Sequence, residues 1–309
     1  MKGPLFYAKI LLFGEYGIIK DSKGLAIPYN SYQGALKVSE ISSEASNKSN
    51  ENLQKFYQYL CDVNSKDLVQ FRLEELKRDI DKGMYFDSSI PQGYGVGSSG
   101  ALVAAVYDKY ADDKITVLEN LTRYKLLKLK EIFSVMESFF HGKSSGLDPL
   151  NSYLSLPILI KSKDHLEPTG IPSQKEGKGA VFLLDSEQIG KTEPMVSIFM
   201  NKMKNEGFRK MINEDFATYT DACIEDFLHG NIKSLFGNVK QLSKVVLDNF
   251  KPMIPKAFHQ LWEQGIETNA YYLKLCGSGG GGYILGFTKD YEKAQQILKN
   301  YKLELVYRF

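Results

Sequence analysis

The chain has 309 residues, 43% of them hydrophobic, which is enough apolar material for one large or two medium domains. Its 39 basic and 37 acidic side chains nearly cancel, so the net charge of +2 gives no electrostatic reason to expect nucleic acid or an anionic membrane as the main partner. Three widely spaced cysteines argue against a disulfide framework and for a reducing compartment, so we expect a cytoplasmic protein.

The predicted elements begin with a buried strand over residues 5–13, in which Lys9 is the one charged side chain. A turn and a second short strand are predicted over 14–20. This N-terminal stretch is too short and too charged for a signal peptide, and no run approaches the roughly 20 apolar residues that span a bilayer. The polar composition of 39–52 predicts a surface loop.

Helical spacing of apolar residues recurs along the rest of the chain. It predicts helices over 53–63, 68–80, 115–140, 194–206, 214–229, 231–248, 253–268 and 289–301. Strands are predicted over 154–160, 180–184, 271–275, 283–287 and 304–308, with a polar loop over 161–179. Since strands are followed by segregated helices, the pattern favours an α+β chain of two domains, residues 1–190 and 191–309.

A glycine-rich segment over residues 91–101 leads into an apolar helical pattern that starts at Leu102. Its glycines let the main chain approach an anion without Cβ contacts, and the following helix offers unpaired N–H groups and the positive end of its dipole. Ser98 and Ser99 stand where a helix N-cap is expected, and their hydroxyls could also face a phosphate or its magnesium ion. The segment predicts a phosphate-binding loop, and a plain glycine turn into a capped helix is the alternative.

This segment does not follow the commonest nucleotide-binding patterns. No lysine lies between Gly93 and Lys109, so the Walker P-loop is absent. The Gly-x-Gly-x-Gly spacing and its distance from the N-terminus do not fit a dinucleotide-binding fingerprint. The tripeptides His-Arg-Asp and Asp-Phe-Gly of protein kinases are also missing.

A second glycine-rich segment occupies residues 274–283, with five glycines among the six residues 277–282. Glycine inside a strand loses packing and costs conformational entropy, so such a run marks a tight turn, a bulge or a ligand that the main chain approaches. A purely structural hairpin is the alternative, although four consecutive glycines exceed what a two-residue turn needs.

Three polar residues, Glu137, His141 and Asp148, follow one another near a predicted helix end. Carboxylates beside a phosphate are unfavourable unless they share a cation, and magnesium suits one or two carboxylates together with phosphate oxygens and water. The alternatives are a solvated helix carboxylate for Glu137, a turn residue for Asp148, and a helix C-terminal cap for His141, which is the favoured interpretation for that residue alone.

The remaining chemical signal is Lys9, because a charge in an apolar strand is costly to bury unless it meets an anion. Asp148 would be a suitable partner. A nearby cation lowers the pKa of an aspartate, so Asp148 would stay ionised and could accept a hydroxyl proton while Lys9 stabilised the developing alkoxide. The alternative is that Lys9 extends to the surface.

Taken together, these motifs resemble the GHMP kinases, the family named for galactokinase, homoserine kinase, mevalonate kinase and phosphomevalonate kinase. Residues 8–16 (AKILLFGEY), 91–101 and 274–282 are similar, in that order, to the family's first motif, its ATP-phosphate loop and its third motif. Residues 137–148 are especially similar to the mevalonate kinases. The resemblance spans about residues 5 to 285.

The resemblance implies an N-terminal α+β domain with a left-handed βαβ element, followed by a ferredoxin-like C-terminal domain. It implies an enzyme that uses ATP and Mg²⁺ to phosphorylate a primary hydroxyl, that of mevalonate, in isoprenoid precursor synthesis. The alternatives are a phosphomevalonate kinase, a sugar kinase of the same family, or a catalytically silent nucleotide-binding regulatory module. The expected partner is a small-molecule alcohol substrate, and neither nucleic acid nor a membrane is expected. A homodimer with a second copy of the chain is compatible with the resemblance.

Residue by residue, the resemblance implies that Asp148 is the catalytic carboxylate and Lys9 its cationic neighbour. It implies magnesium ligands at Ser99 and Glu137. The implied nucleotide contacts are Pro91, Gly93, Gly95, Val96, Gly97, Ser98, Ser99, Gly100, Gly277, Ser278 and Gly279. The implied acceptor contacts are Glu15, Tyr16, His141 and Thr192.

Four residues depart from the family's usual pattern. Tyr16 stands where mevalonate kinases commonly carry histidine, and Tyr7 replaces the usual proline of the first motif. Gly100 and Ser278 replace the more frequent alanines. Because phosphoryl transfer depends mostly on positioning and charge neutralisation, the motifs predict the reaction better than they predict the alcohol that receives the phosphate.

Overall fold

The computed structural model describes residues 4–38, 43–64, 68–116, 120–174 and 176–309. The strands are β1 (Phe6–Phe13), β2 (Gly24–Val38), β3 (Met84–Ser88), β4 (Ile158–Ser162), β5 (His165–Pro168), β6 (Ala180–Asp185), β7 (Tyr272–Leu275), β8 (Tyr283–Thr288) and β9 (Leu303–Arg308). The helices are α1 (Glu44–Asn64), α2 (Leu73–Asp81), α3 (Ser98–Tyr110), α4 (Arg123–His141), α5 (Leu147–Leu154), α6 (Thr192–Lys202), α7 (Glu206–Met211), α8 (Ala217–His229), α9 (Ile232–Asn249), α10 (His259–Thr268) and α11 (Tyr291–Ile297). The predicted α+β class is confirmed.

The strands form two sheets. In the first, the pairing order is β1-β2-β4-β5, and β3 also pairs with β2. The second has the order β7-β8-β6-β9. Strand β6 lies inside this second sheet and pairs antiparallel with both β8, where Ala180 faces Thr288, and β9, where Ala180 faces Arg308.

Contacts between residues divide the chain into two compact units, each built from separate stretches of sequence. Unit 1 comprises Met1–Lys9, Pro28–Pro91 and Gly97–Leu156. Unit 2 comprises Ile10–Ile27, Gln92–Val96 and Pro157–Phe309. These units are defined by contacts between residues, and each combines segments that are far apart in the sequence. They therefore do not test the predicted domain boundary at residue 190, which stays a prediction.

The core of unit 1 is built around α3, which is buried on nearly all sides because its residues are almost all apolar or small. The rings of Tyr107, Phe133 and Tyr153 bring α3, α4 and α5 together, with centroids 5.0 to 5.6 Å apart and edge-to-face angles. This packing holds the C-terminal half of α3, the helix that begins with Ser98 and Ser99.

The core of unit 2 lies on the β7-β8-β6-β9 sheet. Phe13 at the end of β1 stacks on Phe287 of β8 at 5.4 Å and meets Phe227 of α8 at 6.4 Å. Trp262 of α10 is fully buried, and its indole N–H donates to the hydroxyl of Ser243 in α9 at 2.8 Å. No helix in the described part of the chain combines the length and apolar character needed to cross a membrane.

Several elements differ from the sequence-based expectation in the N-terminal half. A surface loop is predicted over 39–52, but α1 begins at Glu44, and residues 39–42 lie outside the described residues. A helix is predicted over 115–140, but α4 begins only at Arg123, where the Thr122 side chain accepts a hydrogen bond from the Lys125 N–H. Residues 117–119 of that predicted helix lie outside the described part.

Strand predictions also differ from the structure. Residues 17–20 form a 3-10 turn instead of a short strand, and the long strand β2 follows. Of the strand predicted over 154–160, the first residue, Leu154, is the last residue of α5, and only residues 158–160 belong to β4. The predicted loop over 161–179 contains β5. Pairing partners distant in the sequence decide these elements, and local patterns do not contain that information.

The C-terminal helices and strands agree better. The predicted helices over 214–229 and 231–248 correspond to α8 and α9, and the last three predicted strands correspond to β7, β8 and β9. The helix predicted over 253–268 is interrupted, because Pro255 separates two 3-10 turns that precede α10.

Candidate functional site

The two side chains predicted to be catalytic meet in unit 1. The ammonium Nζ of Lys9 lies 2.8 Å from Oδ1 of Asp148. The Lys9 side chain is 6% exposed and the Asp148 side chain 35% exposed. The cation is therefore desolvated and paired, whereas the carboxylate keeps a face that a ligand can reach.

The backbone around Asp148 explains this placement. Asp148 lies in the first turn of α5, which begins after Gly146 in a left-handed conformation with φ of 72°. The hydroxyl of Ser152, one turn later, donates to the carbonyl of Tyr7 in β1 at 2.8 Å. On the other side, a Cβ atom added to Gly100 of α3 would lie 2.7 Å from the carbonyl carbon of Asp148. Helix α5 is thus held between β1 and α3, and Asp148 faces Lys9.

The predicted magnesium ligands also meet in unit 1. The Ser99 hydroxyl donates to Oε1 of Glu137 at 3.1 Å and lies 3.0 Å from Nε2 of His141. The Ser144 hydroxyl donates to Oε2 of Glu137. Sequence reasoning assigned no role to Ser144. Ser144 lies in the short loop that joins α4 to α5, so its hydroxyl can contact a side chain at the end of α4. This position is the sequence feature that could have indicated its role.

The electrostatic environment perturbs Glu137 strongly. Burial raises the pKa of Glu137 to about 7, and the negative charge of Asp148 acts in the same direction. Hydrogen bonds from Ser144 and Ser99 and the charge of Lys9 lower this pKa but do not compensate for burial. A bound cation would favour the ionised carboxylate.

These donors fit magnesium. Within the described ranges, no group of three or more His, Cys, Asp or Glu side chains is arranged to hold a metal ion by itself. Ser99 and Glu137 supply one hydroxyl and one carboxylate, both oxygen donors. Magnesium is usually bound through one or two carboxylates, with phosphate oxygens and water completing the octahedron, so this pair suits a magnesium ion that arrives with a phosphate.

The start of α3 differs from the expected serine cap. Its N-cap is Gly97, with φ of 81°, and no side chain caps the helix. Ser98 and Ser99 are the first two helical residues, and the Ser99 hydroxyl bonds to Glu137 instead. A Cβ on Gly97 would lie 2.9 Å from Cγ of Lys9. The main chain therefore lies against Lys9, and the N-terminal N–H groups of α3 remain without a side-chain cap.

In unit 2, the second glycine-rich segment forms the connection from β7 to β8, which we call the hairpin segment (residues 276–282). Its five glycines all have positive φ, between 69° and 144°. The hairpin segment packs against the first glycine-rich segment, since a Cβ on Gly95 would lie 2.5 Å from the Cys276 carbonyl oxygen, and one on Gly282 2.5 Å from Cα of Tyr94. Only bare main chain permits this approach.

Sequence reasoning missed a third segment, residues 188–190, that joins these two. The Gly190 N–H donates to the Gly93 carbonyl at 2.9 Å, and the Gly282 N–H donates to the Gln188 carbonyl at 2.5 Å. Between them, the Ile189 side chain is 71% exposed. The only local signal is one glycine in a polar loop, which is too common to single out.

The predicted acceptor residues of unit 2 lie beside the hairpin segment. Oε1 of Glu15 is 2.6 Å from Nζ of Lys274. The Tyr16 hydroxyl donates to the Ser278 carbonyl at 2.6 Å, and the Ser278 hydroxyl lies 3.4 Å from that of Thr192. Lys274 had no predicted role, although a lysine within an apolar strand is the same signal that singled out Lys9. Of the remaining predicted nucleotide contacts, Pro91 is half-buried in unit 1 and Val96 is buried in unit 2.

Two sequence models of known domains match the chain. The model of the GHMP kinases N terminal domain matches residues 65–155, and that of the GHMP kinases C terminal domain matches residues 223–305. Together they cover more than half of the chain. A sequence search among curated proteins finds no match.

Solved structures show the same architecture. Mevalonate kinase of L. major, in complex with R-mevalonate, superposes with a TM-score of 0.63 at 17% identity, covering 97% of this chain and 93% of that one. Phosphomevalonate kinase of Streptococcus pneumoniae, with phosphomevalonate and AMPPNP, gives 0.60 at 14%, covering 98% and 99%. Lactococcus lactis galactokinase, with galactose, gives 0.60 at 13%, covering 98% and 92%. At these identities the likeness is one of fold, and it confirms the predicted architecture.

Proposed function

The chain belongs to the GHMP kinase family, and on that premise we propose that it transfers the γ-phosphoryl group of ATP to the primary hydroxyl of mevalonate, forming 5-phosphomevalonate. Membership gives the reaction class of a small-molecule kinase, whereas the acceptor and the residue roles are our proposal. The observation that carries the roles is the 2.8 Å ion pair between buried Lys9 and partly exposed Asp148. The similarity of residues 137–148 to mevalonate kinases supports mevalonate as the acceptor.

In the proposed reaction, the Asp148 carboxylate accepts the proton of the acceptor hydroxyl. The alcohol oxygen forms a bond to the γ-phosphorus while the bond from that phosphorus to the bridging oxygen breaks, and ADP leaves. Lys9 holds the carboxylate in place and stabilises negative charge on the alcohol oxygen. The low exposure of Lys9 strengthens both effects, because little water screens its charge.

Ser99 and Glu137 would hold the magnesium ion. Their oxygens already lie 3.1 Å apart, and Ser144 fixes the second oxygen of the carboxylate. Magnesium bound there would neutralise charge on the phosphate oxygens. Because Ser144 keeps its hydrogen bond to the carboxylate, the main change on binding the ion is that the Ser99 hydroxyl gives up its hydrogen bond to Oε1 of Glu137.

The phosphate contacts would come mostly from main-chain N–H groups. In unit 1 these belong to the uncapped start of α3, from Gly97 to Gly100, where the helix dipole also favours an anion. In unit 2 they belong to the first glycine-rich segment and to Gly277–Gly279 of the hairpin segment. The positive φ angles of these glycines let the main chain approach phosphate closely.

Of the four residues expected to contact the acceptor, His141 and Thr192 are exposed, and we propose that they do so. Glu15 and Tyr16 are buried, and each is bonded to the hairpin segment or to its root. Their role is developed in the next subsection.

The test is a substrate panel. The purified chain, with ATP and Mg²⁺, is offered mevalonate, phosphomevalonate and galactose separately, while ADP release is followed and the product is identified by ³¹P NMR. We expect turnover with mevalonate and a phosphomonoester on its primary hydroxyl. Turnover with only phosphomevalonate, whose acceptor group is a phosphate, or with only galactose would refute mevalonate as the acceptor, and nucleotide binding without turnover on any of the three compounds would favour the regulatory module.

Matched variants then test the role of Asp148. Asp148→Asn keeps the size of the side chain and removes the base, so we expect kcat to fall about 10²- to 10⁴-fold with little change in nucleotide affinity. Asp108→Asn is the control, because Asp108 also forms a 2.8 Å ion pair with a lysine, Lys114, in unit 1. The control should turn over like the wild type.

A further inference from the structure

We propose that Glu15 and Tyr16 are positioning residues for the nucleotide, which hold the hairpin segment through Lys274 and Ser278, and that they do not contact the acceptor. This inference rests on the proposed function and assigns these two side chains to a different substrate of the same reaction.

The first observation is that two adjacent residues bond to two points of one segment. Glu15 pairs with Lys274, the last residue but one of β7, at 2.6 Å, and Lys274 also donates to the Leu275 carbonyl at 2.8 Å. Tyr16 donates to the Ser278 carbonyl at 2.6 Å. One contact fixes the root of the hairpin segment and the other fixes its middle.

The second observation is the burial of the ion pair. The Lys274 and Glu15 side chains are 4% and 5% exposed. They border a cavity of about 10 Å³, which also adjoins Thr220, whose hydroxyl has no hydrogen-bond partner among the described residues. Such a space holds about one water molecule, so in this structure there is no room beside Glu15 for an alcohol of the size of mevalonate.

The third observation concerns Tyr16 itself. Its φ of 62° is uncommon for a residue with a side chain. Its ring, 5% exposed, packs against Phe199 and Phe250 with centroids 4.7 and 5.6 Å away. Both the backbone and the packed ring therefore direct the hydroxyl to the Ser278 carbonyl, and burial together with Glu15 raises the pKa of Tyr16, so the hydroxyl stays a donor.

The consequence follows from the planarity of the peptide group. Holding the Ser278 carbonyl fixes the whole peptide plane that joins Ser278 to Gly279. Gly279 on one side of that plane, at φ of 74°, would otherwise leave it freer to turn. Since the proposed phosphate contacts are main-chain groups of Gly277–Gly279, Tyr16 acts on the nucleotide by fixing their orientation.

The main experiment compares Tyr16→Phe with Tyr307→Phe. Tyr307 is a matched control in unit 2, because it is 3% exposed and its hydroxyl donates to the Pro172 carbonyl at 2.7 Å. We measure the dissociation constant of AMPPNP with Mg²⁺ by calorimetry, and kcat and both KM values with ATP and mevalonate. Tyr16→Phe should weaken AMPPNP binding and raise the KM for ATP about three- to tenfold, within the range expected for one hydrogen bond, and leave the KM for mevalonate within about twofold.

Two results would overturn the inference. One is a raised KM for mevalonate with unchanged AMPPNP affinity, since Tyr16 would then contact the acceptor. The other is a Tyr16→Phe protein that is indistinguishable from Tyr307→Phe in nucleotide affinity and kinetics.

A second variant tests the ion pair. Lys274→Met alone would leave the Glu15 charge buried without its partner, so the double variant Glu15→Gln, Lys274→Met is used, which removes both charges. We expect it to fold, with a cooperative thermal transition, and to bind AMPPNP more weakly than the wild type. Wild-type affinity in the folded double variant, or failure of the double variant to fold, would contradict a positioning role for the pair.

Failure of the proposed function would look different. If the wild type phosphorylates none of the panel alcohols, the acceptor assignment fails, while the AMPPNP measurements, which need no acceptor, still test the role of Tyr16. If the wild type binds no nucleotide at all, both proposals fail.

Discussion

Replacing Gly100 by alanine tests how closely α3 and α5 must approach to place Asp148. The added Cβ would lie 2.7 Å from both the carbonyl carbon of Asp148 and the nitrogen of Pro149, and 2.9 Å from the Asp148 Cβ. Ordinary contact begins near 3.4 Å, so one helix must move by about 0.7 Å. Two of the three obstructing atoms are main-chain atoms, so no side-chain rotation can relieve the contact.

The two energetic effects of Gly100→Ala oppose each other and partly cancel. Overpacking costs about 1 to 3 kcal/mol, while alanine is favoured over glycine inside a helix by about 1 kcal/mol. We therefore expect a net destabilisation of about 0 to 2 kcal/mol. The effect on catalysis is larger, because displacing Asp148 from its 2.8 Å contact with Lys9 spoils the geometry of proton transfer. A misplacement of this size lowers kcat by about ten- to a hundredfold.

Steady-state kinetics with ATP and mevalonate and a thermal melt give the two readouts. Gly237→Ala is the control, since Gly237 lies in α9 with nothing within 4 Å of an added Cβ. It should be stabilised by about 0.5 to 1 kcal/mol and keep its kcat. Wild-type kcat in Gly100→Ala would refute the argument.

Further predictions concern the group around Glu137. The pKa of Glu137 is raised to about 7, and magnesium requires the ionised carboxylate. The Mg²⁺ concentration that gives half-maximal rate should therefore fall about tenfold between pH 5.5 and 6.5 and level off above pH 8. A half-maximal Mg²⁺ concentration that stays constant from pH 5.5 to 8.5 would contradict this. Ser144→Ala removes a hydrogen bond that lowers this pKa, so the same profile should shift to higher pH. Ser138→Ala should leave it unchanged, because the Ser138 hydroxyl, in the same helix as Glu137, donates to the Ser134 carbonyl. In the absence of Mg²⁺, the folded protein binds the Glu137 proton more tightly than the unfolded chain does. The contribution of this group to the free energy of unfolding is therefore complete below its ordinary pKa of 4.5 and is lost as the pH rises through about 7. Thermal melts of the wild type and of Glu137→Gln over this pH range measure that contribution.

The parts of the site that the sequence could predict are those with a local physical signature. Lys9 is a charge in an apolar strand, and such a charge needs a buried anion. The clustered glycines of both segments mark main chain that adopts positive φ. These signals indicate chemistry without any knowledge of the partner, and the structure brings Lys9 to Asp148 and Ser99 to Glu137.

Other parts depend on partners far away in the sequence. Strand β2 contains Pro28, Asn30 and Gly34, which disfavour strands, and it forms because β3 and β4 pair with it. The role of Lys274 depends on Glu15, 259 residues earlier. Helix α1 was predicted to begin later because its first two turns are polar, whereas Leu53 and Phe56 further along anchor its buried face. Local patterns carry no information on such pairings.

The glycines of the hairpin segment also determine how it moves. Each glycine loses more backbone freedom on ordering than a residue with a Cβ, by about 0.5 to 1 kcal/mol relative to alanine. Few side chains are present to recover this entropy, so the segment's order depends on hydrogen bonds to other parts of unit 2, such as the one from the Gly280 N–H to the Met253 carbonyl at 2.6 Å. Its amide protons should therefore exchange with solvent sooner than those of the flanking strands, and an anion bound to the main chain should slow that exchange most at the glycines themselves.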